Sequence, residues 1–231
     1  MDSLRTASHA SPSRASVKTL KQIYKTLFKK FGPQHWWPGE TPFEVIVGAI
    51  LTQNTNWGNV EKAIRNLKEA DVLSPGALHK IPAARLAALI KPAGYFNVKA
   101  RRLKNFMDFL FTGYQGDIKK MANERLSDLR VKLLSVNGVG PETADSILLY
   151  ALNKPVFVVD AYTKRILYRH GLVEHDTDYH KLQAQFISHL KPDVRMFNEY
   201  HALIVHLGKH FCKPKPLCAT CPLRGSCRKR L

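Results

Sequence analysis

Only one stretch of this 231-residue chain reads as extended, Pro155-Val156-Phe157-Val158-Val159, and it is too short to build a sheet. The other apolar runs have helical spacing. Leu20, Ile23, Tyr24, Leu27, Phe28 and Phe31 form an i, i+3, i+4, i+7, i+8, i+11 stripe, which predicts an amphipathic helix ended by Gly32-Pro33. Thr41-Pro42-Phe43-Glu44 carries the residues of a capping box with proline at the first helical position. The apolar helix that follows, through Leu51, reads as buried, and it ends in the polar run Thr52-Gln53-Asn54-Thr55. Further helices are expected over about 57–69, 76–80, 83–90, 97–112, 116–121, 127–135, 161–169, 178–190 and 194–208, with Gly and Pro between them. The expected fold class is therefore all-α.

The charge points to a partner. Lys and Arg number 36 against 18 Asp and Glu, a formal charge of +18. A chain this basic suits a polyanion, either nucleic acid or an acidic membrane, the plain alternative being a basic protein with no such partner. No apolar run is long enough for a membrane-spanning helix, and the N-terminal MDSLRTASHASPSRAS lacks the apolar core of a secretory signal. A cytoplasmic location is expected, on the nucleoid if the source is prokaryotic. Residues 1–16, rich in Ser, Ala and Arg without a period, read as a disordered basic tail. Lys18, Lys21, Lys25 and Lys29 share the polar face of the first helix, and a solvated face is preferred there over DNA contact.

All four cysteines, Cys212, Cys218, Cys221 and Cys227, fall in the last 20 residues with the spacing C-x5-C-x2-C-x5-C. A disulfide scaffold would spread them to staple distant segments. Four thiolates in one loop suit one metal centre. Only one pair is close, so a [4Fe–4S] cluster is placed ahead of zinc, and unligated thiols behind both. Lys213, Lys215, Arg224, Arg228, Lys229 and Arg230 surround them, and such cations lower thiolate pKa and favour a nearby phosphate.

The segment SDLRVKLLSVNGVGPETADSILLYA, residues 127–151, reads as two helices joined by Val136-Asn137-Gly138-Val139-Gly140, with Ser127 capping the first and Pro141 opening the second. Two glycines two apart permit positive φ and uncover backbone N–H groups at a helix start, an anion site that grips phosphate without reading sequence. Taken alone, Gly-x-Gly between helices also describes an ordinary αα-turn. Downstream, Val158-Val159-Asp160 delivers one carboxylate at the start of a helix, as an N-cap, as a group facing DNA, or as both.

Hairpin, aspartate and cysteine loop in this order resemble the endonuclease III superfamily of base-excision DNA glycosylases. The resemblance covers roughly residues 18–230 and rests on Leu133–Ala144, Val158-Val159-Asp160, Gly94-Tyr95-Phe96-Asn97-Val98-Lys99-Ala100 and the cysteine loop. It implies two helical lobes: a six-helix barrel over about 35–153 containing the helix–hairpin–helix, and a discontinuous lobe joining 17–34 to 154–231, with double-stranded DNA in the cleft between them. It also implies a monomer with Cys212, Cys218, Cys221 and Cys227 on a [4Fe–4S] cluster. The first cysteine interval is one residue shorter than usual in endonuclease III, and zinc or an empty site stay as alternatives.

Bifunctional endonuclease III carries a lysine in the hairpin that attacks the sugar. Here Glu142 stands at that place, and a carboxylate cannot form an imine, which argues for hydrolysis by water and against lyase activity. The stretch Val45–Leu51 lacks the acid usual in the mismatch-adenine branch. Within the superfamily the chain most resembles the 3-methyladenine DNA glycosylase III group, at Trp36-Trp37-Pro38, Leu51–Thr55, Trp57 and Glu142–Leu148, although the best-known form of that group lacks the cluster. The resemblance implies that Trp36 and Trp57 sandwich a flipped base, with Trp37 beside them, and that Gln53, Asn54 and Tyr95 fill the gap in the duplex. It further implies that Gly138, Val139, Gly140 and Glu142 sit on DNA while Asp160 stabilises an oxocarbenium-like sugar. An alkylated purine is the expected substrate. A pyrimidine glycosylase and a non-catalytic DNA-binding module are the alternatives. His201, His206 and His210 could suggest a metal, but helix surface or packing is the preferred reading.

Overall fold

A computed structural model describes residues 14–37 and 39–228. The tail expected at 1–13 lies outside the described residues, as do Pro38, Lys229 and Arg230. The described residues are all-helical, with no strand among them. The helices are α1 (Arg14–Phe31), α2 (Pro42–Leu51), α3 (Trp57–Glu69), α4 (Pro75–Lys80), α5 (Ala83–Leu89), α6 (Phe96–Tyr114), α7 (Ile118–Ala122), α8 (Leu126–Leu134), α9 (Pro141–Ser146), α10 (Ala161–Arg169), α11 (Tyr179–Ile187) and α12 (Val194–His210). Helix α1 starts at Arg14, inside the stretch expected to be a tail.

The apolar run at 155–159 forms no sheet because its backbone threads a core. Val156, Phe157, Val158 and Val159 are all buried, and Phe157 meets Phe197 edge-on at 5.4 Å. The run is apolar to fill space, not to pair with another strand.

Contacts divide the chain into two units. One unit is His35–Val158 with Asp193–Glu199. Its core is built from α2, α3, α5, α6, α8 and α9, where Ile46, Ile50, Leu67, Leu103 and Leu133 are fully buried. Thr41 caps α2 by accepting from the Glu44 N–H at 3.1 Å. The Glu44 carboxylate reaches back to the Glu40 N–H at 3.3 Å, one residue earlier than a capping box requires, and it also binds Lys68 at 3.0 Å. Helix α8 begins one residue earlier than expected. Arg125, not Ser127, is its N-cap, and the Arg125–Asp128 ion pair at 2.8 Å closes the first turn while the Ser127 hydroxyl donates to Asp128.

The second unit holds the described residues up to Gln34, Val159–Pro192, and the described residues from Tyr200 onward. The apolar stripe of α1 packs here: the Tyr200 hydroxyl donates to the Leu20 carbonyl at 2.9 Å, and the Tyr200 ring meets Tyr24 and Phe186. Helices α10 and α12 approach closely at Gly208. A Cβ there would lie 2.4 Å from the Tyr162 ring, so only glycine admits this packing. Arg165 stacks over Tyr162 at 5.2 Å and donates to the Cys212 carbonyl at 2.7 Å.

Candidate functional site

In the first unit the hairpin turn lies between α8 and α9. Gly138 takes φ +95°, a region that favours glycine, and the Arg102 side chain lies across it. Gly140 does not need positive φ: it is the extended N-cap of α9, with φ −88° and ψ 176°. A Cβ at Gly140 would meet nothing within 4 Å, so the space in front of the first turn of α9 is open. Val139 is buried and anchors the turn through an N–H bond to the Val136 carbonyl at 2.9 Å, while Glu142 is exposed. Arg130 on α8 binds fully buried Asp145 on α9 through two bonds, at 2.7 and 3.0 Å, and so clasps the two helices of the hairpin.

Gln53 is directed inward. Its amide donates to the Gly138 carbonyl and the Thr143 hydroxyl, both at 2.9 Å, and its carbonyl accepts from Arg102. Asn54 and Tyr95 differ from it in exposure: both take positive φ, Asn54 is exposed, and the Tyr95 ring is 72% exposed at the start of α6.

The three tryptophans form one cluster with Trp37 at its centre. The Trp37 ring lies 5.7 Å from Trp36, 5.1 Å edge-on to Trp57 and 4.9 Å from Tyr150. Tyr150 comes from a π-helical turn, Ile147–Ala151, that continues α9. Trp37 and Trp57 close on Gly48, where a Cβ would lie 3.5 and 3.4 Å from them. Trp57 donates its indole N–H to Glu61 at 2.6 Å, whereas the buried Trp37 Nε1 has no hydrogen-bond partner among the described residues.

In the second unit Asp160 is the N-cap of α10. Its Oδ1 accepts from the Thr163 N–H at 2.7 Å and the Thr163 hydroxyl at 2.8 Å. Its Oδ2 faces His201 Nε2 at 3.6 Å, and the Asp160 side chain is only 12% exposed. Burial pushes the carboxyl pKa up. His201 and the two Thr163 bonds outweigh it and hold the group below the ordinary carboxylate range, so Asp160 is ionised at neutral pH. His201 is buried packing, as its helical setting suggests, but what it packs beside is this carboxylate. His206 stacks on Phe31 at 4.3 Å.

Cys212, Cys218, Cys221 and Cys227 line one pocket in this unit, walled by Leu207, Phe211 and Pro216 and flanked by Arg169, His170 and Arg224. None of the four is in a disulfide. Burial, then the proximity of the other three cysteines, pushes the Cys221 thiol up. Arg169 donates to Cys212 Sγ at 3.3 Å and to the Lys213 and Pro214 carbonyls, which shapes the loop. Among the described residues no three His, Cys, Asp or Glu side chains converge as ligands of a single ion.

An all-helical chain with a glycine hairpin, a capped aspartate and a four-cysteine pocket has the parts of a DNA-repair glycosylase. The chain belongs to the HhH-GPD superfamily of base excision DNA repair proteins, whose sequence profile matches residues 47–192. It is 49% identical to the Methanocaldococcus jannaschii protein named "Putative DNA repair glycosylase", over 89% of this chain and 94% of that one. It is 31% identical to endonuclease III of Thermotoga maritima, over 90% of this chain and 92% of that one. Its structure resembles the H. pylori 3-methyladenine DNA glycosylase bound to 1,N6-ethenoadenine, with TM-score 0.69, 30% identity, and 84% of this chain and 97% of that one covered. It shares its fold with a trapped endonuclease III–DNA covalent intermediate, with TM-score 0.80, 22% identity, and 92% and 96% of the two chains covered.

Sequence reasoning assigned no role to Tyr150, Lys99, Arg102 or the His201–Asp160 contact. A tyrosine in an apolar run carries no signal of its partner. Lys99 shares its helix with Arg101, Arg102 and Lys104, and nothing local marks it as the buried cation.

Proposed function

We propose that this glycosylase is monofunctional and removes alkylated purines, such as 3-methyladenine, from double-stranded DNA. The observation that carries the reading is the aromatic cluster of Trp36, Trp37, Trp57 and Tyr150 closed on Gly48. An N3- or N7-alkylated purine is a cation, and aromatic faces attract cations. The 30% identity to a protein named as a 3-methyladenine DNA glycosylase supports the same reading. Glu142 in the hairpin supports the absence of a Schiff-base nucleophile.

In this mechanism the hairpin backbone at Gly138, Val139 and Gly140 holds a phosphate, with exposed Glu142 at its edge. Asn54 and Tyr95 occupy the gap left by the flipped nucleotide, and Gln53 ties the turn that carries Asn54 to the hairpin. Flipping costs a few kcal/mol. The alkylated base is already a good leaving group. The bond from C1′ to the base nitrogen breaks, the base departs with the electron pair, and the sugar becomes oxocarbenium-like. The Asp160 carboxylate stabilises that charge, water adds to C1′, and Asp160 accepts its proton.

The four cysteines suit a [4Fe–4S] cluster better than zinc. Only one pair is close in sequence and the outer two are each separated from it by five residues, a spacing unlike paired zinc knuckles, and all four line one apolar pocket. A bound cluster would cross-link residues 212–227 and set the positions of the basic side chains there. Iron and sulfide in the purified protein would support this, and stoichiometric zinc would overturn it without touching the glycosylase reading.

The test is base release from alkylated duplex DNA, with strand breaks scored before and after alkali. Free 3-methyladenine with breaks only after alkali is expected. Asp160→Asn should keep DNA binding and lose base release. The 31% identity to an endonuclease III makes pyrimidine lesions the second reading. Release of oxidised pyrimidines but not alkylpurines would establish it.

A further inference from the structure

Helix α6 presents Lys99, Arg102 and Asn105 on one face, at i, i+3 and i+6, each about 4.5 Å further along the axis. Between them the three side chains hold three loops. Lys99, only 1% exposed, donates to the Leu51 carbonyl at 2.8 Å and the Ala93 carbonyl at 2.7 Å. The first carbonyl ends α2, just before the turn that carries Asn54. The second comes just before Gly94-Tyr95. Arg102 donates to Gln53, whose amide reaches the Gly138 carbonyl and the Thr143 hydroxyl, and the Arg102 stem lies against Gly138. Asn105 donates to the Asn137 carbonyl at 3.0 Å.

These three loops are far apart in sequence, and every one carries residues proposed above to meet DNA. Lys99 is also costly where it stands. An apolar side chain would fill the Lys99 site without taking an ammonium out of water. What it could not do is bind two carbonyls from different loops at once.

We infer that Lys99, Arg102 and Asn105 are positioning residues: together they set the spacing between Asn54, Tyr95 and the hairpin turn so that all three engage one damaged duplex. The inference rests on the glycosylase reading. Undamaged duplex needs only the hairpin's grip on phosphate, whereas a duplex with a missing base needs all three loops in register.

The experiment measures affinity for a duplex holding a tetrahydrofuran abasic analogue and for the same duplex undamaged. The variants are Lys99→Met, Arg102→Met and Asn105→Ala, the last two covering the case in which Lys99→Met does not fold. Each should lose about ten- to hundredfold in abasic-duplex affinity, as expected when groups are misplaced by an ångström or so. Binding to undamaged duplex should fall far less, because Arg130 and Asp145 still clasp the two helices of the hairpin. Gln53→Met should lose at least as much as Arg102→Met, since it also drops the bonds to Gly138 and Thr143, and the double variant should lose no more than Gln53→Met alone, because the Arg102 bond ends on Gln53. Equal losses on both duplexes, no loss on either, or losses that multiply in the double variant would each overturn the inference. Wild-type protein that does not prefer abasic duplex would overturn the glycosylase reading, and this inference with it. A wild-type preference kept by every variant would overturn the inference alone.

Discussion

Replacing Arg130 by methionine should destabilise the hairpin-bearing unit more than any exposed substitution. Arg130 holds Asp145 through two bonds, at 2.7 and 3.0 Å, with Asp145 fully buried and Arg130 21% exposed. The variant leaves a buried carboxylate without its guanidinium. Breaking a buried pair by removing one partner costs about 3–5 kcal/mol, and the partial exposure of Arg130 favours the lower end. In a chain of this size each kcal/mol lowers Tm by about 2–4 °C, so a drop of roughly 6–20 °C is expected. Urea unfolding gives the free energy directly, and a thermal scan gives the Tm. The companion variant Arg130→Met/Asp145→Leu removes both charges and should recover most of the loss, because two apolar side chains of suitable size cost far less than one stranded charge. Duplex affinity should fall with the single change and return with the double, since the pair joins the helices on either side of the turn proposed to hold phosphate. A single variant within about 1 kcal/mol of wild type, or a double variant worse than the single, would refute the argument that this pair clasps the hairpin.

Lys99 gives a pH prediction with a definite sign. Burial, aided by the charge of Arg102, lowers its pKa to about 8, against 10.5 for an ordinary lysine. Below pH 8 both folded and unfolded chains carry the proton, and the burial penalty is present in full. Between about 8 and 10.5 the folded chain sheds its proton first, so stability relative to Lys99→Met should rise through that window in urea titrations at matched ionic strength. A difference that is flat, or that falls, would contradict the burial of this amine. Gly208→Ala places a methyl 2.4 Å from the buried side of Tyr162, and about 1–3 kcal/mol of stability should be lost on urea unfolding. Because α10 carries Asp160, base release should slow as well. Glu142→Lys should introduce a DNA adduct trapped by borohydride, seen as a shifted band on a denaturing gel. Its absence would show that an amine at this exposed position does not reach the sugar.

The helical architecture was legible from periodicity. The α1 stripe, the Thr41 and Asp160 caps and the Pro141 start depend on neighbours within a few residues, and local steric and hydrogen-bonding rules act at that range. Where α8 starts was misread, because the Arg125–Asp128 ion pair competes with a serine cap and composition does not weigh the two. The cysteine spacing announced that the four side chains share one place, which is a common pocket, and the resemblance to known glycosylases singled out Asp160 and the tryptophans. Tertiary packing alone decided the rest. Gln53 turned inward because Gly138, Thr143 and Arg102 together satisfy its whole amide, while Asn54 one residue later stayed exposed. Trp37 rather than Trp36 became the hub of the aromatic cluster because Tyr150 and Gly48 meet it there. His201 found Asp160, 41 positions earlier in the chain, and Lys99 found Leu51, 48 positions earlier. Such pairings carry no local signal. They follow from which helix faces are pressed together, and the drive that presses them, burial of apolar surface, is indifferent to which polar groups it makes neighbours.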